Sequence, residues 1–113
     1  MNENRKLLEL AAKVAEIDWF KHTDGGLWLK SGGIWNPLTD DGDALRLAVK
    51  LEIELIFRNE AVWTEHRSES RPDWRLTYCE PYMGDAPSAT RLLIVRAAAD
   101  IGKVRCASNP SQT

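Results

Sequence analysis

Cysteine, long apolar runs and charge of one sign are all scarce in this chain, and each shortage removes a class of protein. Cys79 and Cys106 are the only two cysteines. They have neither the CxxC spacing of a metal or redox site nor the density of a disulfide scaffold. The longest uninterrupted apolar run is LLIV at 92–95, far short of the ~20 residues that span a bilayer, so no membrane segment is expected. The opening MNENRKLLEL carries no apolar stretch behind its charges. No signal peptide is expected from it, and the compartment inferred is the cytoplasm, where both thiols stay free. Fifteen basic and 17 acidic residues give a net charge of −2, and the signs are interspersed. Arg58, Arg67, Arg71 and Arg75 alternate with Glu60, Glu65, Glu69 and Asp73, which cancels the positive stripe that a nucleic-acid backbone requires.

Catalytic and cofactor motifs are missing as well. Gly25-Gly26 and Gly32-Gly33 lack the following Lys-Ser/Thr of a phosphate loop, so they are read as turn glycines. Asp40, Asp41 and Asp43 surround Gly42. Placing that glycine at position 6 of a calcium loop puts Pro37 at position 1 and Ala48 at position 12, and the motif fails. A helix cap accounts for the three acids instead. His22 and His66 are too isolated to specify a zinc site, which needs three or four converging ligands. No serine lies in a nucleophile elbow. A Cys79–His66 pair across neighbouring strands is the remaining catalytic arrangement, and a small buried thiol is the simpler account of Cys79. The residues alone call for no metal and no cofactor.

What is present reads as a folded α+β domain. At 113 residues, 43% of them hydrophobic, the chain is long enough for one core without staples. Helix formers with apolar residues at Leu7, Leu10, Ala11, Val14 and Ile17 predict a helix over 3–17. Residues 27–30 and 34–35 form a hairpin about Ser31-Gly32-Gly33. Asp40 or Asp41 then caps a helix over 41–50. From Leu51 the apolar period shortens to two, with Leu51, Ile53, Leu55 and Phe57 alternating against Glu52, Glu54, Ile56 and Arg58. That pattern predicts a half-buried strand over 51–57, placed inside the sheet. Strands at 61–65 and 75–79 complete a meander. A helix over 86–101 begins after Asp85 and stops at Gly102. The order is α-β-β-α-β-β-β-α: a small layered domain, mostly antiparallel sheet packed against three helices. It occupies 1–105, with 106–113 as a flexible tail.

Two segments carry a family likeness. WNPLTDDGDALRLAVKL at 35–51 and ATRLLIVRAAADIGK at 89–103 resemble the phage ABA-sandwich domain, a family of uncharacterised bacteriophage and prophage proteins. The resemblance implies layers of helix and sheet and a phage or prophage setting. It supplies no catalytic residues. Trp35, Pro37, Asp40, Asp41, Gly42 and Asp43 transfer from it only as a structural signature.

The function these observations favour is a non-catalytic accessory protein that binds a host or phage protein. The candidate interaction face is Trp63, Arg67, Arg71, Trp74 and Arg75, since Trp and Arg dominate protein–protein hot spots. A symmetric homodimer is a second expected partner. The alternatives are a small hydrolase or ligand-binding protein with a non-standard site, and a minor virion or assembly component.

Overall fold

Amphipathic helices and short β-rich runs alternate along the chain, and each finds its own partner. In the computed structural model, which describes residues 2–67 and 75–107, they form α1 (Asn2–Val14), β1 (Trp19–Thr23), β2 (Gly26–Leu29), β3 (Ile34–Trp35) and α2 (Asp41–Leu51). These are followed by β4 (Ile56–Arg58), β5 (Ala61–Arg67), β6 (Arg75–Pro81) and α3 (Ala86–Ala107). The class is α+β. The strands make two antiparallel sheets of three, β1-β2-β3 and β4-β5-β6, rather than one continuous sheet.

The first sheet contains a strand the sequence pattern hid. β1 alternates poorly because its ladder with β2 shifts register between Trp19 and Lys21. Asp24-Gly25 is the two-residue turn into β2, since Thr23 pairs with Gly26. Gly26 has no room for a side chain: a Cβ there would stand 2.4 Å from the Trp35 carbonyl oxygen. The hairpin therefore closes against β3 only because that position is glycine.

The expected strand over 51–57 is corrected by the structure. Leu51 is the last residue of α2, and Glu52 leaves the helix with φ 56°. The Ile53 N–H then bonds back to the Ala48 carbonyl at 2.9 Å, a left-handed helix stop. Residues 53–55 belong to no helix or strand, and pairing starts only at Ile56, opposite Trp63. The alternation of Leu51, Ile53 and Leu55 thus records burial on the helical side across a helix end and a short link. Phe57, read onto the buried face, is 58% exposed. Among the described residues β4 pairs only with β5, as an edge strand rather than a central one. It turns into β5 through Asn59-Glu60, both at positive φ (56° and 55°), the conformation of a two-residue type I′ hairpin.

α1 stops earlier than expected, by the same device as α2. Glu16 takes φ 60°, and Ile17, read as part of the helix face, instead donates its N–H to the Ala12 carbonyl. α3 runs on through Gly102 to Ala107, so that glycine is not the stop and Cys106 lies within the helix. Residues 108–113 are outside the described residues. Gly102 has a packing role instead. A Cβ on it would meet the Leu10 carbonyl oxygen at 3.2 Å, where α1 crosses α3.

α3 is the centre of the molecule. Ile94, Val95, Ala97, Ala98 and Ile101 join one core with α1, α2, Leu27 and Trp35. Ala89 and Leu93 join Val62 in a second cluster, under the β5–β6 face. Helices α1 and α2 pack on α3, and so do β5 and β6. Among the described residues no helix is long and apolar enough to cross a membrane.

Leu93 is fully buried at 0% exposure, so Leu93→Ala should cost about 2–5 kcal/mol in denaturant unfolding. Glu60→Gly makes the turn Asn-Gly and removes a side chain from a left-handed position. It should raise stability by up to about 1 kcal/mol, and unchanged or lower stability would contradict the turn assignment.

Candidate functional site

The segment WNPLTD organises the entry into α2. Asn36 is fixed on all sides: its Oδ1 accepts from Leu38 N at 3.0 Å, and its Nδ2 donates to the Gly25 carbonyl at 2.9 Å. Its backbone N–H donates to Asp43 Oδ2 at 2.9 Å. Asp40 is the N-cap of α2, with Oδ2 accepting from Asp43 N at 2.8 Å. Asp43 is buried and also accepts from Arg46 Nη2 at 2.8 Å. Its carboxylate thus ties the preceding turn to the helix.

Asp41 points away from that turn, to Arg91 on α3, and pairs with its Nη1. Arg91 also donates from Nε to the Leu38 carbonyl and from Nη2 to Ser88 Oγ, both at 2.9 Å. Ser88 Oγ in turn donates to Asp85 Oδ2 at 2.8 Å, while Ser88 N donates to Asp85 Oδ1 at 3.1 Å. The start of α3 is thereby capped by Asp85 and joined to the start of α2. These contacts hold Asp85 below the ordinary aspartate value of 3.8: the Ser88 N–H has the largest effect and the Ser88 hydroxyl the next. Desolvation opposes them, and the Arg91 charge adds to the lowering.

Beside this clamp lies an open groove of about 510 Å³. Ala44 and Leu45 of α2 form one wall, and Ala86, Pro87, Thr90, Arg91 and Ile94 of α3 form another. Leu55 and Phe57 also line it. The register explains the opening. Phe57 sits opposite Val62, on the sheet face that α3 covers over β5 and β6. Phe57 itself is left uncovered at 58% exposure. Leu45 and Val49, on the solvent side of α2, are 60% and 67% exposed. The polar groups lining the groove are engaged within the chain: Asp41 with Arg91, and Thr90 Oγ1 with the Ala86 carbonyl at 2.8 Å. The result is an apolar, electrically quiet surface, suited to contact rather than bond-making.

The candidate face read from the sequence lies elsewhere. Trp63 is on β5, half-buried, with its indole Nε1 buried and without a hydrogen-bond partner among the described residues. The backbone register sets Arg67 opposite Arg75, at the end of the β5–β6 pair. Arg71 and Trp74 lie outside the described residues. Cys79 is opposite Trp63 and His66 opposite Leu76, three rungs apart, or roughly 10 Å along the strand. The register does not bring those two together as a dyad. Cys79 is exposed rather than buried. His22 joins α1 to β1, its Nε2 2.6 Å from Glu9 Oε2 and its ring 5.1 Å from that of Trp19. Among the described residues no three His, Cys, Asp or Glu side chains converge as metal ligands would.

Sequence reasoning missed the groove because Leu45 and Val49 belong to the same apolar helix as the buried Ala44, Leu47 and Ala48. The available signal was that α2 carries more apolar residues than one buried stripe can use. Comparison of the chain with family models, with curated proteins and with solved structures finds no match.

Ionised Asp85 is favoured in the folded state. Its contribution to stability is therefore complete above the usual aspartate range and is lost as pH falls through the lowered value. Ser88→Ala should move the Asp85 titration, followed by its carboxyl carbon shift, upward toward 3.8. No movement would mean that the Ser88 hydroxyl does not contribute to the lowering, since alanine keeps the backbone N–H.

Proposed function

We propose that this chain acts by protein–protein association, through the apolar groove bounded by α2, β4 and α3. The observation that carries the reading is the exposure of Leu45 and Phe57 on the lining of one concave apolar surface. Exposed apolar side chains scattered singly need no explanation, whereas a contiguous set around a groove costs solubility unless something covers it. The charged pair at its edge would orient a partner without demanding a specific ion from it. A phage or prophage accessory role is the setting that the resemblance of 35–51 and 89–103 supplies. That resemblance alone supports it.

A small hydrolase would need a nucleophile, acid or base turned into a cavity. The groove offers only Asp41, Thr90 and Arg91, each tied to another group of the chain. A minor assembly component would use the same association surface, so that alternative differs in partner rather than in mechanism. The aromatic–arginine region about Trp63 is less favoured, because Trp63 is half-buried with its indole Nε1 covered.

The deciding experiment uses tagged wild-type protein and Phe57→Asp in a bacterial lysate supplemented with untagged chain. Phe57 is largely exposed, so the variant should fold. Proteins held by the wild type and lost from Phe57→Asp identify what docks in the groove. Equal retention by both forms, or a partner lost only from Trp63→Ala, would move the interface away from it.

A further inference from the structure

We infer that Asp24-Gly25 is a modification site, where the chain converts its own aspartate to isoaspartate, and that the change releases the first hairpin from the entry to α2. Asp-Gly occurs twice in the chain, at 24–25 and 41–42. Glycine is the residue that least obstructs attack by its own nitrogen, since it has no Cβ. With the side chain in its acid form, the Gly25 nitrogen bonds to Asp24 Cγ. One carboxyl oxygen leaves as water, taking the amide proton and the acid proton. Water then opens the five-membered imide at the main-chain carbonyl carbon of Asp24. The peptide now runs through Cβ and Cγ, and the former main-chain carbonyl is a carboxylate. One water leaves and one returns, so the reaction needs no oxidant, cofactor or enzyme.

The fold separates the two Asp-Gly steps. Asp24 and Gly25 are both exposed, in the link between β1 and β2. Neither the Asp24 carboxylate nor the Gly25 N–H has a partner among the described residues. Even a Cβ at Gly25 would have no neighbour nearer than 3.8 Å, so the link has room to turn. Asp41-Gly42 instead opens α2. There the carboxylate is held by Arg91, and the Ala44 N–H bond to the Asp40 carbonyl keeps the backbone helical. Ring closure requires the aspartate to rotate out of that conformation.

Position 24 is also where a longer backbone has consequences. Isoaspartate adds one carbon to the main chain within a two-residue link. The Gly25 carbonyl accepts from Asn36 Nδ2 at 2.9 Å, and the Asn36 N–H donates to the buried Asp43. Gly26 cannot take up the slack, because it lies against the Trp35 carbonyl with no space for a Cβ. The longer link therefore moves the Gly25 carbonyl off Asn36, and the hairpin loses its polar tie to the start of α2.

The test holds the full chain in warm neutral buffer and digests it with trypsin at intervals. Isoaspartate is read by methyl transfer from radiolabelled S-adenosylmethionine, using a carboxyl methyltransferase selective for that residue. Label should accumulate in the peptide 22–30 and stay absent from 31–46. In urea both peptides should label, since only the fold protects Asp41. Asp24→Glu should abolish labelling of 22–30, because the longer side chain closes no five-membered ring. Gly25→Ala, which the space and φ at that position allow, should slow it several-fold. In the separated aged form the Asn36 side-chain amide resonances should shift. No label in 22–30, or equal label in 31–46 from the folded chain, overturns the site. Label in 22–30 with the Asn36 resonances unmoved overturns the release.

Discussion

Gly102 and the alanines around it let α1 run against α3 so closely that a Cβ on Gly102 would stand 3.2 Å from a backbone oxygen of Leu10. Ala11 and Ala12 of α1, with Ala15 just past its end, share a single core with Ala97, Ala98 and Ile101 of α3. Close approach multiplies weak dispersion contacts over the whole crossing, which is how small side chains make a tight core. It also frees the far side of α3. Leu93 and Ala89 can then meet Val62, so one helix serves two clusters. A larger residue at position 102 would push α1 outward and loosen the helical core.

The same central helix explains why the polar clamp and the groove are neighbours. Arg91 leaves α3 just before its fully buried stretch begins, and its three donor atoms reach Leu38, Asp41 and Ser88. Those bonds draw the start of α2 against the start of α3. Sheet cover is limited by the width of a helix: α3 shields β5 and β6, and the next strand outward, β4, keeps Phe57 in the open. The groove is thus the space left where two helices and an edge strand fail to close.

Much of the fold was legible because local chemistry and tertiary packing agree. Asp40 before the helix, Gly32-Gly33 between two strands and Asp85 before the last helix each have a local reason to be where they are. Errors arose where one pattern served two purposes. The alternation from Leu51 to Phe57 is genuine as burial as far as Leu55, but a left-handed Glu52 lies within it and glutamate gives no warning of that conformation. The same holds at Glu16, where AKVAEI repeats the pattern of AVKLEI. The spacing of Ala86, Ala89, Leu93, Ala97 and Ile101 taken alone suggests a one-faced stripe on α3. The continuous LLIV and AAA runs on either side of Arg96 were the sign of a helix buried on several sides. For the candidate site, aromatic and arginine content pointed to one end of β5–β6. Only three-dimensional structure could separate the covered apolar residues of α2 from the uncovered ones.

Chain order gives the central helix a further meaning, in biosynthesis. α3 is the last of the described elements, yet α1, α2, β5 and β6 all pack on it. Synthesis proceeds from the N-terminus, so every earlier element emerges from the ribosome with its apolar face still uncovered. The two hairpin systems can pair locally, but neither core cluster can close before Leu93 and Ile101 arrive. Closure of either cluster therefore waits for α3. A pause in translation before α3 would expose more apolar surface than the same pause in a protein whose centre is made first.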